Sequence, residues 1–474
     1  MLLLLVLFAA VASLQLGNSY GIQTDDAPIT WRYAENLATG HGFVYNDSER
    51  ILGTSTPLFT LALAALRFVG LPVETAALLI SLASFAAVFL LIVRLAAALG
   101  STGAGLLAAG LVATEAPFLV YSTQGMETTA YVALILGAIV ASVEGRERTA
   151  FVLAALAILM RLDGAAVGAA LAVAAVARWR RPSWGAAALL VATIVPWFLF
   201  SWLTFGSLAP QSMLAKLAHT KYSEPYWMLR SLFPEGNLLF VPFGVIGALS
   251  LLLRPARPRA GREAAVPIAW FVCYVGAFSL IGIDAYPWYR IPIVPICALF
   301  AGFGIREILL VASRILALPG PSSLRWISPR ARHALLIVAL LLLVVPWGWY
   351  RYVTYHDSLV AYSEQLRVWE RPRIASAEWL RDHATPGSTV RTSAVGHIGW
   401  ISGLRVQDTS GLVSRIGPED PAFSPADFIV GHDGDPVPGA IFKVDSPDYE
   451  LVQSLAVEPT VVYRIYKRKG TALR

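Results

Sequence analysis

The chain has 474 residues, 56% of them hydrophobic and 14% charged, with a mean hydropathy of +0.61. A soluble domain carries roughly 25% charged residues, so these totals exclude an ordinary soluble protein and specify a polytopic membrane one. The net charge of +6 does not point to nucleic acid, because most arginines lie in short loops between apolar runs, where they set topology.

Met1 to about Leu16 is the first apolar run. It has no basic n-region and no clear small-x-small cleavage site, which favours a retained helix over a signal peptide. Its place at the first residue leaves a start further upstream open. Apolar runs of about 17–25 residues then predict about eleven spans, near 1–18, 75–99, 103–121, 127–143, 149–161, 164–178, 184–204, 237–253, 264–282, 291–312 and 334–350. Cys273 and Cys297 fall inside such runs and suggest neither a disulfide framework nor a metal-ligand spacing.

The segment Thr56–Val69 is apolar but brief. If it does not cross, Arg146/Arg148, Arg178/Arg180/Arg181, Arg254/Arg257/Arg259/Arg262 and the loop Arg306 to His333 all face the cytoplasm, as the positive-inside rule asks. If it crosses, all four clusters face outward. It is therefore read as a helix lying in the interface. The outer stretches become 19–74, 122–126, the turn Arg161–Asp163, 205–236 and 283–290. Asp25, Asp26, Glu127, Asp163, Lys216, Asp284 and Arg290 gather on that one face.

From about Arg351 to Arg474 the chain is mixed, rich in Pro and Gly, and has no span. Arg373–His383 reads as a helix, and Thr389–Ala394, Phe428–Val430 and Val461–Lys467 read as strands. The predicted fold class is an all-α polytopic membrane bundle over 1–350, with its first outer loop at 19–74. A small extracytoplasmic α/β or α+β domain follows over 351–474.

The adjacent carboxylates Asp25 and Asp26 stand at the mouth of a membrane helix, where ionisable groups are a functional hypothesis by default. They suit a general base or oxygen ligands for a hard metal ion, and one of them can cap the following helix. Arg32 follows on that helix, and His41 lies between two turn glycines, near the acids. Glu127 opens a span from outside, either favouring the helix dipole or facing the aspartates as a third acid. Arg161 and Asp163 share a tight turn and either pair structurally or belong to the site. Lys216 and Arg290 are cations fit for a phosphate. Trp288 and Tyr289 are belt aromatics or a sugar platform. No phosphate-binding glycine loop, GxSxG or HExxH occurs, which argues against nucleotide-driven transport.

The order of these motifs resembles a known family. An aspartate pair with Arg-Tyr-x-x-Asn is followed by Gly-His-Gly and an interfacial helix. Then come Gly-Met-Glu-Thr, Arg-x-Asp-Gly, Phe-Gly-x-x-x-Pro-x-x-x-x-Ala-Lys and Gly-x-Asp-x-x-x-x-Arg. Over roughly 20–300 this resembles the GT-C superfamily of polyprenyl-phosphate-sugar-dependent membrane glycosyltransferases, most of all the terminal arabinofuranosyltransferase branch of the mycobacterial cell wall. Gly396-His397-Ile398-Gly399-Trp400, with Asp408 and Gly411-Leu412, is similar to a recurring element of related outer domains.

The resemblance implies an inverting transfer of a sugar, such as arabinofuranose, from a polyprenyl-phosphate donor to a glycan or lipid acceptor at the outer face of a bacterial plasma membrane. It implies Asp25 or Asp26 as the acid that deprotonates the acceptor or holds a divalent ion (Mg, Mn or Ca). Glu127 would be the second-loop acid and, with Asp25, a metal ligand. Arg32, Lys216, Tyr289 and Arg290 would face the lipid phosphate, and His41, Arg161, Asp163 and Asp284 would complete the site. A flippase for a lipid-linked sugar is the alternative, disfavoured because charge gathers at one face and no internal repeat is visible.

Overall fold

The computed structural model describes residues 23–47, 49–179, 183–218, 227–230, 240–253, 258–281, 286–317, 328–414, 425–432, 447–458 and 461–474. The predicted first span and Asp284 lie outside them.

The described chain begins with α1 (Asp26–Ala38), α2 (Pro57–Phe68), α3 (Val73–Ala98), α4 (Thr102–Ala113) and α5 (Ala116–Tyr121). Next are α6 (Thr128–Val143), α7 (Glu147–Met160), α8 (Ala165–Trp179), α9 (Trp184–Phe205), α10 (Gln211–Ala218) and α11 (Trp227–Arg230). Then come α12 (Phe240–Leu252), α13 (Pro258–Ile281), α14 (Val294–Ala317) and α15 (Pro329–His383).

Among the described residues, four helices are long and apolar enough to cross a membrane: Val73–Ala98, Trp184–Phe205, Glu263–Ile281 and Pro287–Arg314. The predicted count of about eleven is therefore met only in part. The run read as one span over 103–121 is two helices, because Pro117 lacks an N–H and starts a new helix after an extended Glu115. The 12-residue α2 is about 18 Å long, short of a hydrocarbon core of about 30 Å. Elsewhere small residues bring helices together. A Cβ at Gly247 or Gly304 would overlap the backbone of Phe300 or Phe243, so α12 and α14 pack backbone to backbone.

The last helix departs furthest from expectation. The span predicted at 334–350 and the helix predicted at Arg373–His383 are the two ends of one 55-residue helix, α15. It runs without a break into the small domain. There β1 (Thr389–Thr392), α16 (Val395–Ser402), β2 (Arg405–Asp408), β3 (Phe428–His432), β4 (Tyr449–Glu458) and β5 (Val461–Arg468) complete the fold.

The sheet has the order β2-β1-β3-β5-β4. β1 is parallel to β2 and β3, while β3–β5 and β5–β4 are antiparallel. Val390 lies level with Val406 and Phe428, which puts three buried side chains in one row. A slip of one residue would expose that whole row. The strands expected at Thr389, Phe428 and Val461 are present; β2 and β4 are additional.

The core of the small domain is shared with the start of the described chain. Ile29, Tyr33, Phe43, Tyr45 and Leu52 belong to one apolar cluster with Leu380, Val390, Ile398, Phe428 and Ile465. Arg32 donates to the carbonyls of Gly399 (2.6 Å) and Leu404 (2.9 Å), and Asn46 makes two bonds with the Val406 backbone. The sheet and the segment 26–52 thus set each other's position, because neither could leave without exposing the shared core to water.

Candidate active site

Between α1, α8, α10 and α13 lies a cavity of about 480 Å³. Its polar lining includes Asp26, Glu127, Arg161, Asp163 and Lys216. Its flank is lined by Ala165, Ala166 and Ala169 of α8 and by Cys273, Ala277 and Ile281 of α13. At helical spacing these side chains give the cavity an apolar flank between two helices, with Phe278 beside them.

Asp26 begins α1, where a carboxylate is favoured by the unpaired N–H groups of the first turn. Lys216 Nζ lies 3.1 Å from Asp26 Oδ2. The same ammonium sits 4.7 and 5.2 Å from the ring centroids of Tyr286 and Trp288, which stack on each other. Burial opposes the charge on Lys216, but Asp26 and the neighbouring tyrosines outweigh it and hold the group protonated above the ordinary lysine range.

Arg161 is the second cation, only 5% exposed. It is extended (φ −158°, ψ 138°) at the end of α7, just before a 3-10 turn at Leu162–Gly164. A Cβ at Gly164 would run into the backbone of Ala157, so glycine allows the turn to fold back tightly. The guanidinium grips Asp163 at 3.0 and 3.1 Å, reaches Glu127 at 3.4 Å and lies over the rings of Tyr131 and Tyr289. The Tyr274 hydroxyl is 3.0 Å from both Asp163 Oδ2 and the Tyr289 carbonyl, so its single proton serves one at a time.

The hydroxyls of Thr30, Thr54 and Thr56 form another wall, 3.1–3.2 Å apart, and Thr60 backs them at 3.4 Å from Thr54. Ser212 Oγ is buried at the cavity and has no hydrogen-bond partner among the described residues. A buried hydroxyl without a partner is costly, and a sugar hydroxyl would satisfy it.

Asp25 points elsewhere. Its carboxylate accepts from the backbone N–H groups of Gly396 (3.1 Å) and His397 (2.8 Å) at the start of α16. Its donor atoms lie within 4.8 Å of those of Glu370 and His397, close enough for the three to share a metal ion. Each also has a protein partner. Glu370 pairs with Arg373 at 3.0 Å, and His397 Nε2 is 3.2 Å from the Gln23 carbonyl. Burial pushes Glu370 up to about 7 and holds His397 below its ordinary value. The pairing of Asp25 with Glu127 around one ion is not what the geometry brings together: Glu127 is held by Arg161 in the cavity, and Asp25 by Gly396 and His397 of the small domain.

Apart from Tyr289, the remaining expected site residues among those described fall outside the cavity lining. Arg32 ties the first loop to the small domain, and its guanidinium stacks over Tyr45. His41 is exposed and bonds Thr39 Oγ1 at 2.9 Å. Arg290 is exposed, 5.8 Å from the ring of Trp227. Tyr289 does line the cavity. Tyr274 is a lining residue that escaped the sequence reading, and Leu412 was singled out there only within the Gly411-Leu412 element of the small domain. Tyr274 sits within an apolar span, where a lone hydroxyl is a signal. Leu412 enters from the small domain on a turn that buried Asp408 gathers by accepting from Ser410 and Val413.

A family model described as a domain of unknown function (DUF8728) matches residues 355–468. No curated protein matches by sequence. Among solved structures the chain is similar to ArnT from Cupriavidus metallidurans bound to undecaprenyl phosphate, at 14% identity and TM-score 0.62, over 98% of each chain. It is similar to the oligosaccharyltransferase AglB from Archaeoglobus fulgidus, in complex with an inhibitory peptide and a dolichol-phosphate, at 14% identity and TM-score 0.55. That match covers 85% of this chain and 64% of the other. The arabinofuranosyltransferase AftD from Mycobacteria matches at 17% identity and TM-score 0.51, over 97% of this chain and 40% of that one. The fold implied by the motif order is borne out.

Proposed function

We propose that this chain, which has the GT-C glycosyltransferase fold, moves a sugar from a polyprenyl-phosphate donor to an acceptor hydroxyl. The observation that carries the reading is the mixed lining of one cavity: an acid–lysine pair together with apolar side chains of two helices. A lipid-linked sugar phosphate has the same mixture: an isoprenoid tail for the apolar flank, a phosphate for the cations, a sugar for the polar side chains.

In this reading Asp26 is the general base. It removes the acceptor hydroxyl proton as the oxygen attacks the anomeric carbon. The bond from that carbon to the phosphate oxygen breaks, and polyprenyl phosphate leaves with the electron pair, inverting the configuration. Lys216, now paired with Asp26, is placed to neutralise the leaving phosphate as a point charge. Arg161 holds Glu127 and Asp163 in place and limits the negative charge facing the phosphate. The hydroxyl wall and Ser212 are acceptor or sugar contacts. The chain's own cations supply positive charge at the site, and a divalent ion (Mg, Mn or Ca) would find its donor atoms at Asp25, Glu370 and His397.

The sugar is a pentofuranose such as arabinofuranose and the acceptor a cell-envelope glycan or lipid, in keeping with the likeness to AftD. About eleven spans with the arginine clusters inside put the cavity and the 351–474 domain on the extracytoplasmic side of a bacterial inner membrane. The test is transfer of radiolabelled sugar from a panel of polyprenyl-phosphate donors by the purified protein. Asp26→Asn should lower transfer by about 10²–10⁴-fold while leaving folding intact. Undiminished transfer in that variant would sink the assignment of the base. Donor crossing vesicles with no glycosylated product would favour the flippase.

A further inference from the structure

We infer that Asp25 is a positioning residue: by capping α16 of the outer domain it fixes the first turn of α1 and so aims Asp26 into the cavity. The inference rests on Asp26 as the base.

Helix α16 cannot cap itself. Its N-cap residue is Ala394, which offers no side-chain oxygen. The N–H groups of Gly396 and His397 instead donate to Asp25, 371 and 372 residues earlier in the chain. Asp25 in turn is the N-cap residue of α1 and makes no side-chain bond to that helix. One carboxylate therefore stands between two helix N-termini and serves the distant one. Bonds from N–H groups to a carboxylate are charge-assisted and short, so the link is stiff.

The contact extends along α16. A Cβ at Gly396 would overlap the Asp25 carbonyl oxygen, so the two backbones touch. His397 Nε2 lies 3.2 Å from the Gln23 carbonyl, which can only accept. The Gly399 carbonyl accepts from Arg32, and the Trp400 ring meets Trp31 edge to face. Trp400 Nε1 also donates to Glu74 at the start of α3. Behind Asp25, Glu370 is fixed by Arg373, and Arg373 by the Tyr463 hydroxyl at 2.7 Å. The first turn of α1 thus rests on the outer domain, although among the described residues that domain lends the cavity only Leu412.

Because Asp25 and Asp26 are adjacent, a shift of one moves the other. Misplacing a reacting group by about 1 Å can cost about 10²-fold in rate. The experiment compares Asp25→Ala, Asp25→Asn, Ala394→Asp and the double variant Asp25→Ala/Ala394→Asp in the full-length protein. Asp25→Ala should lose about 10²-fold in kcat with the donor KM unchanged, since the apolar flank and Lys216 remain. Asp25→Asn keeps one acceptor oxygen and should fall in between. Ala394→Asp gives α16 a cap of its own, so the double variant should regain thermal stability but not kcat.

Amide hydrogen exchange over residues 26–31, read without any donor, should rise in Asp25→Ala and stay raised in the double variant. Full kcat in Asp25→Ala, or recovery of both stability and kcat in the double, would overturn the inference. So would Asp25→Asn falling as far as Asp26→Asn with unchanged exchange, because Asp25 would then itself react. A normal rate in Asp26→Asn beside raised exchange in Asp25→Ala would instead sink the base and keep the positioning link.

Discussion

Arg161→Gln tests the cavity's electrostatics without reference to any substrate. The wild-type side chain is 5% exposed and faces two carboxylates, Asp163 at 3.0 and 3.1 Å and Glu127 at 3.4 Å. Removing it leaves Glu127 buried with no cation and Asp163 with the Tyr274 hydroxyl. Breaking a buried pair from one side typically costs about 3–5 kcal/mol. The Glu127 contact is long and Asp163 is partly exposed, so the lower end, about 3 kcal/mol, is expected. Glu127→Gln alone should cost less, because Arg161 keeps Asp163. In Arg161→Gln/Glu127→Gln the orphaned acid is gone, and about 1 kcal/mol or more should return relative to the sum of the single changes. Denaturant unfolding in detergent, followed by tryptophan fluorescence, reads all four proteins. An Arg161→Gln within about 0.5 kcal/mol of wild type, the range of surface substitutions, or strict additivity in the double, would refute the reasoning.

Lys216→Met removes the cation beside Asp26 and should raise the donor KM and lower kcat/KM by about 10–100-fold, the worth of one charge-assisted bond of about 1.5–3 kcal/mol; kinetics across donor concentrations read it. Gly125 has φ +70° and supports Trp31, whose Nε1 donates to its carbonyl at 3.1 Å. Gly125→Ala strains that backbone and drives a Cβ into the indole, so a loss of about 2–4 kcal/mol is expected in thermal unfolding. Glu370 keeps its proton in the native state up to about 7, against an ordinary value of 4.5. Between those values this carboxyl binds more protons in the native state than in the unfolded one, so its own contribution to stability should fall as pH rises, by about 3 kcal/mol. Neighbouring His397, held below its ordinary value, acts in the opposite direction. Denaturant midpoints at pH 5 and pH 8 measure the fall, and Glu370→Gln should flatten it.

Much of the fold could be read from the chain because membrane segments obey a local rule. Runs of apolar residues near α3, α9, α13 and α14 declare themselves by length and composition alone. The alternation in Val390, Phe428 and Ile465 declares strands for the same reason, since each burial choice is made every second residue. The GT-C motif order placed Asp26, Glu127, Arg161, Asp163, Lys216 and Tyr289 in one site, and all six line the cavity.

What the chain could not declare was which way each polar group turns. Asp25 and Asp26 are neighbours of the same chemistry, yet one faces the cavity and the other a helix that begins 370 residues later. Arg32 has the charge of a phosphate ligand but spends it on the carbonyls of Gly399 and Leu404. The unbroken 55-residue α15 was hidden because its apolar and polar halves obey different rules while its backbone obeys one. Sequence alone determined that this is a membrane bundle with acids and cations on one face and a small mixed domain behind it. The tertiary structure decided the division of labour among those charges, because a carboxylate's role depends on the partners that desolvation forces on it, and those partners come from residues far away in the chain.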